Sequence, residues 1–190
     1  MNERLQAVIA ATNTNRAQYV RFCRSLGSSE LQSPIPDSHW RVVDYIAHLA
    51  TIDIWVTEWF EAMADGRHFI PRADDGGAFD IDAWNQARIE ERKNVTLDEL
   101  FLEAAEVRTR LLATFDDFSE ETLASRFNFR GRDISFIEYL EAWTLHDPAH
   151  TLDMLKGLPD RENDSETTAW LAAFRAEAMR EVADVRANDP

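Results

Sequence analysis

Two histidines stand four residues apart in the stretch EAWTLHDPAHTLDML, at His146 and His150. On a helix that spacing puts both imidazoles on one face, separated by about 40° on a wheel of about 100° per residue. Two ring nitrogens presented this way are within reach of one metal ion. Phe136, Tyr139, Trp143 and Met154 share the arc, so both rings face an apolar interior. A third histidine, His48, rides a stripe with Ile52, Trp55 and Trp59. At about 1.5 Å per residue, antiparallel packing brings all three to one level, ~10–15 Å from one end of a bundle. Three inward, neutral imidazoles without a dedicated carboxylate suit zinc or nickel, then iron, and do not suit magnesium or calcium. Three protein ligands leave one coordination position open, the pattern of a catalytic centre. A metal held there lowers the pKa of what it binds and readies it as a nucleophile.

Carboxylates stand close by in sequence. Asp44 is four residues before His48, and Asp153 is three after His150. Each is placed to hold an imidazole in one tautomer, and Asp153 also to join the metal; each is equally readable as an ordinary edge carboxylate. His39 points to the other side of its helix and His68 falls in a loop, so both stay outside the site. Pro148 lies between the paired histidines. A mid-helix proline removes a backbone N–H and crowds the carbonyl four residues back, here Thr144. On the wheel Pro148 falls on the outward side, where water can satisfy the freed carbonyl and a kink tilts the two histidine turns.

These residues need elements to hold them. Apolar residues recur at helical spacing over about 3–26, 39–65, 97–115 and 136–156, with shorter helices at about 81–93 and 120–125. The segments TLDE (96–99) and SFIE (135–138) are capping boxes, and Ser38 or Asp37 is placed to cap the second long helix. SSELQSPIPDS and RHFIPRADDGGAFD read as loops. The predicted fold is all-α: a four-helix bundle over 1–157, with added short helices and no substantial sheet. Residues 158–190 add one amphipathic acidic helix, about 166–187, that packs on the bundle or on a partner.

The chain has 190 residues and a net charge of −15, a balance that argues against nucleic acid and anionic membranes as partners. One cysteine, Cys23, excludes an intramolecular disulfide and points to a reducing, cytoplasmic setting. It lies on an apolar helix face and reads as buried filler. The N-terminus has no signal-peptide core, and no stretch is apolar for long enough to span a bilayer.

The segments HWRVVDYIAHLATIDIW and HDPAH, with IDAWNQARIEERKNVTLDELFLEAAEVRTRLL between them, resemble the DinB/YfiT-like metalloenzyme superfamily over about residues 1–157. That resemblance implies a four-helix bundle, often a homodimer, with His48, His146 and His150 as ligands of a divalent metal. Relatives include mycothiol-dependent maleylpyruvate isomerase, bacillithiol-type S-transferases and ClbS/DfsB-like bundles. They imply a small-molecule substrate and a low-molecular-weight thiol as cosubstrate, activated by the metal. Trp55, Trp59, Tyr139 and Trp143 would then wall an apolar pocket for the electrophile; core packing is the plainer role for any one of them. Three other readings compete. HDPAH imitates the H-E-x-x-H of a metalloprotease, but with a shorter acid and an intruding proline. A di-iron carboxylate bundle lacks its Glu-x-x-His pairs. A non-catalytic helical binding protein, with a structural metal or none, stays open.

Overall fold

Residues 2–64, 80–129, 132–161 and 164–175 are described by the computed structural model of the chain. The first helix, α1 (Glu3–Arg24), starts where the Asn2 side chain accepts the N–H groups of Arg4 and Leu5. A short helix, α2 (Ser28–Leu31), lies in the segment expected to be loop. It forms because Glu30 accepts the Gly27 N–H and is gripped by both Nε and Nη2 of Arg161. The next long helix, α3 (Val42–Ala64), opens three residues later than its sequence suggests. Neither Ser38 nor Asp37 caps it. Asp37 turns the chain at a positive φ of 62°, and Ser38 Oγ accepts the Trp40 N–H instead.

Asp80 caps α4 (Ile81–Arg92), and the Thr96–Glu99 capping box opens α5 (Leu97–Thr114). Ser119 caps α6 (Glu120–Ala124). A two-stranded antiparallel hairpin follows, β1 (Arg126–Phe129) with β2 (Arg132–Ser135), in the register Arg126↔Ser135 and Phe127↔Ile134. It is the one sheet among the described residues. Period-2 alternation puts Phe127 and Ile134 onto the core. The Ser135–Glu138 capping box then starts α7 (Phe136–Trp143), and α8 (His146–Lys156) follows after a break.

That break corrects the expected kink at Pro148. The fourth bundle helix is two helices, and Pro148 is the third residue of the second one. Backbone N–H groups of a first helical turn have no intrahelical acceptor, so proline loses nothing there. Pro148 is buried, not turned to water. The Thr144 carbonyl accepts from Asn15 Nδ2 on α1 at 2.8 Å. Asn15 Oδ1 in turn accepts the Trp170 indole N–H at 2.9 Å. Trp170 belongs to a C-terminal helix whose described part, residues 165–175, lays buried Leu171 and Thr167 against the bundle. The expected end of that helix near 187, and the loop expected at 67–80 apart from Asp80, lie outside the described residues.

The core has two apolar clusters. Tyr19, Phe22, Val42, Ile46, Leu49, Leu100 and Met154 form one. Leu5, Val8, Val56, Leu111, Phe136, Leu140 and Trp143 form the other. Each bundle helix passes from one cluster to the other through a charged residue: the nearly buried Arg16 on α1, and the buried Asp53 on α3, Arg108 on α5 and Asp147 on α8. Arg108 forks onto Asp53 through Nε and Nη2 at 3.0 and 2.9 Å. Arg16 reaches Asp53 at 3.1 Å and Asp147 at 2.8 Å. Two cations and two anions cancel, which is the condition for burying charge at all. No helix among the described residues is long and apolar enough to cross a membrane.

Candidate metal centre

The three histidines meet. His48 comes from α3, one turn beyond Asp44; His146 and His150 come from the first two turns of α8. One ring nitrogen of each lies within 4.8 Å of one from each of the others. Ring centroids are 5.3 Å apart for His48 and His146, 5.1 Å for His48 and His150, and 4.3 Å for His146 and His150. The Nε2 atoms of His146 and His150 face each other at 3.0 Å.

The opposite ring nitrogens show which atoms are free. The Thr51 hydroxyl donates to the His48 carbonyl and stands 3.2 Å from His48 Nδ1. Its hydrogen being committed, Thr51 Oγ1 accepts from Nδ1–H, and the lone pair of His48 is left on Nε2. His146 Nδ1 lies 3.6 Å from Asp147 Oδ1, and His150 Nδ1 lies 3.6 Å from Asp153 Oδ2. A carboxylate beside each Nδ1 favours a proton there and a lone pair on each Nε2. With both lone pairs on Nε2, the two rings would repel across 3.0 Å without a cation between them. A pair of ~2.1 Å zinc–nitrogen bonds at a tetrahedral angle spans about 3.4 Å. The residues present therefore fit a divalent transition metal.

The protonation states agree. Burial, then the neighbouring His146 and His150, holds His48 well below the usual histidine range. Burial, then His150, pulls His146 down to about 4. Neutral imidazoles are what a metal ligates. His48 is buried, while the side chains of His146 and His150 keep 18% and 21% of their surface. The rings against it are Trp40, 5.2 Å from His48, and Tyr45, 5.2 Å from His150. Gln86 on α4 accepts the Trp40 indole N–H at 3.0 Å and sits 3.1 Å from His39 Nε2.

Of the expected neighbours, Asp153 lies beside His150, and Lys156 also donates to it at 2.6 Å. Asp44 is turned the other way. It accepts the Arg41 N–H at 2.8 Å at the start of α3 and pairs with that guanidinium, the ordinary task of an acid in a first helical turn. The aromatic wall also differs from expectation. Tyr139 and Trp143 are buried in the second apolar cluster, Trp143 under the Arg108 guanidinium at 4.8 Å. Trp55 stands edge-on to Trp84 at 5.5 Å, and Trp59 lies outside the described side chains. Helical phase alone sends these residues inward, and the break before α8 puts Trp143 and His146 in different helices. Trp40 precedes its helix, so no periodicity marks it. Asp147 has both carboxylate oxygens on Arg16 and is 4% exposed. That removes the base a metalloprotease would need.

The family model for the mycothiol maleylpyruvate isomerase N-terminal domain matches residues 13–155. The chain belongs to that family. Among solved structures it is similar to a mycothiol-dependent maleylpyruvate isomerase, with a TM-score of 0.62 and 16% identity over 81% of this chain. The match spans 63% of that protein's length. It is also similar to an uncharacterised protein from Escherichia coli UTI89, with a TM-score of 0.59 and 13% identity, covering 82% of this chain and 92% of the other. At these identities the structures establish the shared fold. No curated protein matches the sequence.

Proposed function

We propose that the chain holds one divalent transition metal, zinc or nickel, on His48, His146 and His150, and uses it in thiol-dependent S-transferase or isomerase chemistry on a small molecule. The observation that carries this is the convergence of three imidazole nitrogens whose opposite ring nitrogens face an oxygen. Such a metal, when bound, supplies Lewis acidity that lowers the pKa of a coordinated thiol. Thr51 and Asp153 keep His48 and His150 in the ligating tautomer. Trp40 and Tyr45 form an apolar rim that keeps water off one side of the cluster and gives an electrophile a surface to rest on. Mycothiol, on which the related isomerase depends, is the first thiol to test, and maleylpyruvate the first substrate.

The metal-loaded chain is assayed with mycothiol and with a simpler cellular thiol, against maleylpyruvate and a generic electrophile. Thiol-dependent turnover that His48→Ala abolishes supports the reading. Turnover equal in wild type and His48→Ala, or none with any pair, contradicts it and leaves a non-catalytic metal-binding bundle.

A further inference from the structure

The ion layer ends on the histidine cluster. From Arg108 it runs through Asp53 and Arg16 to Asp147, and Asp147 Oδ1 is the carboxylate oxygen beside His146 Nδ1. His146 Nδ1 is itself buried and without a hydrogen-bond partner. At 3.6 Å the approach is electrostatic, a little beyond hydrogen-bond reach. Asp147 cannot swing away. Arg16 Nε donates to Oδ2 at 2.8 Å, and Arg16 Nη2 donates to Oδ1 at 3.3 Å. Such a two-point grip fixes the plane of a carboxylate as well as its place. Arg16 is in turn held from its far side by Asp53, which Arg108 grips through both oxygens. Both Asp147 and Pro148 lie in the first turn of α8, so the same turn seats the carboxylate and aims the ring.

We propose that Asp147, clamped by Arg16, is a positioning residue for His146. It keeps the proton on Nδ1, and so turns the Nε2 lone pair toward His48 and His150 before any metal arrives. His48 takes the same instruction from Thr51, and His150 from Asp153, but only His146 takes it from a group anchored in the core. This rests on the metal-site reading above.

The test compares wild type, Asp147→Asn, Arg16→Lys and, as a stability control, Leu123→Ala. Zinc affinity is measured by chelator competition, the His146 tautomer by nitrogen-15 NMR without added metal, and the fold by thermal melting. Asn keeps the volume of Asp147 and loses its charge. The expected result is a fall of about ten- to a hundredfold in zinc affinity, with loss of the pure Nδ1–H tautomer. Arg16→Lys keeps the charge and loses the fork, so affinity falls while the chain stays folded; it decides the matter if Asp147→Asn does not fold. Leu123→Ala, a buried residue of the second apolar cluster outside the ion layer, lowers the melting temperature and leaves affinity and tautomer as in wild type. The proposal is overturned if the folded Asp147 and Arg16 variants keep wild-type affinity and tautomer. It is also overturned if Leu123→Ala loses zinc in step with its melting temperature. A wild type that binds no zinc defeats the metal-site reading, whereas the tautomer comparison still decides the role of Asp147.

Discussion

His48 shows how much one hydroxyl can decide. The Thr51 side chain closes on the carbonyl one turn back and so offers its own lone pair to Nδ1, which favours Nε2 as the ring's free nitrogen. Thr51→Val keeps the shape and removes that instruction. Zinc affinity should fall about ten- to a hundredfold with the fold retained, as read by calorimetric titration and circular dichroism. The three converging histidines are legible in the sequence, because four-residue spacing and an apolar stripe are local facts. Their partners are less so. Asp153 is readable because it shares a helix with His150. Thr51 escapes, since a threonine three residues from a histidine has no distinctive pattern. Asp44 misleads, because an acid in a first helical turn has a closer employer in the backbone of Arg41.

At the scale of elements, the break between α7 and α8 decides the geometry of the site. A proline flanked by helical residues reads as a mid-helix kink only if the helix runs through it. Here the chain stops at Trp143, restarts at His146, and places Pro148 where a first turn tolerates it. Pro148→Ala therefore should not stabilise the chain. It gives back unfolded-state freedom and should lower stability by about 0.4–1 kcal/mol in urea denaturation. Asn15 has the complementary role, because it satisfies the carbonyl left open at the break. Asn15→Ala should cost about 0.5–1.5 kcal/mol in the same measurement, the usual worth of such a part-buried hydrogen bond. The capping boxes at Thr96–Glu99 and Ser135–Glu138 form as their residues dictate, because such motifs need only three neighbours. The hairpin at 126–135 is too short to stand out by alternation, and Phe127 and Ile134 reveal it only once they meet the core.

Across the whole molecule, an electroneutral ion layer separates two apolar clusters and ties four helices together. Two of its charges interrupt an apolar stripe at the position helical period assigns to the core: Asp53 between Leu49 and Val56, Arg108 between Ala104 and Leu111. That anomaly is visible in the sequence. The pairing is not, since it depends on which helices become neighbours. Asp53→Ala leaves Arg108 and part of Arg16 without their counter-charge and should destabilise the fold by about 3–5 kcal/mol in chemical denaturation. The layer, the break in the fourth helix and the three imidazoles converge on one claim, a preset site for a single divalent transition metal. Its most direct test is titration of the stripped, untagged protein with zinc, beside His48→Ala, His146→Ala and His150→Ala. The account predicts one equivalent bound tightly by wild type, and weak or no binding in each folded variant. Wild-type protein that takes up no zinc, or variants that bind it as wild type does, would contradict it.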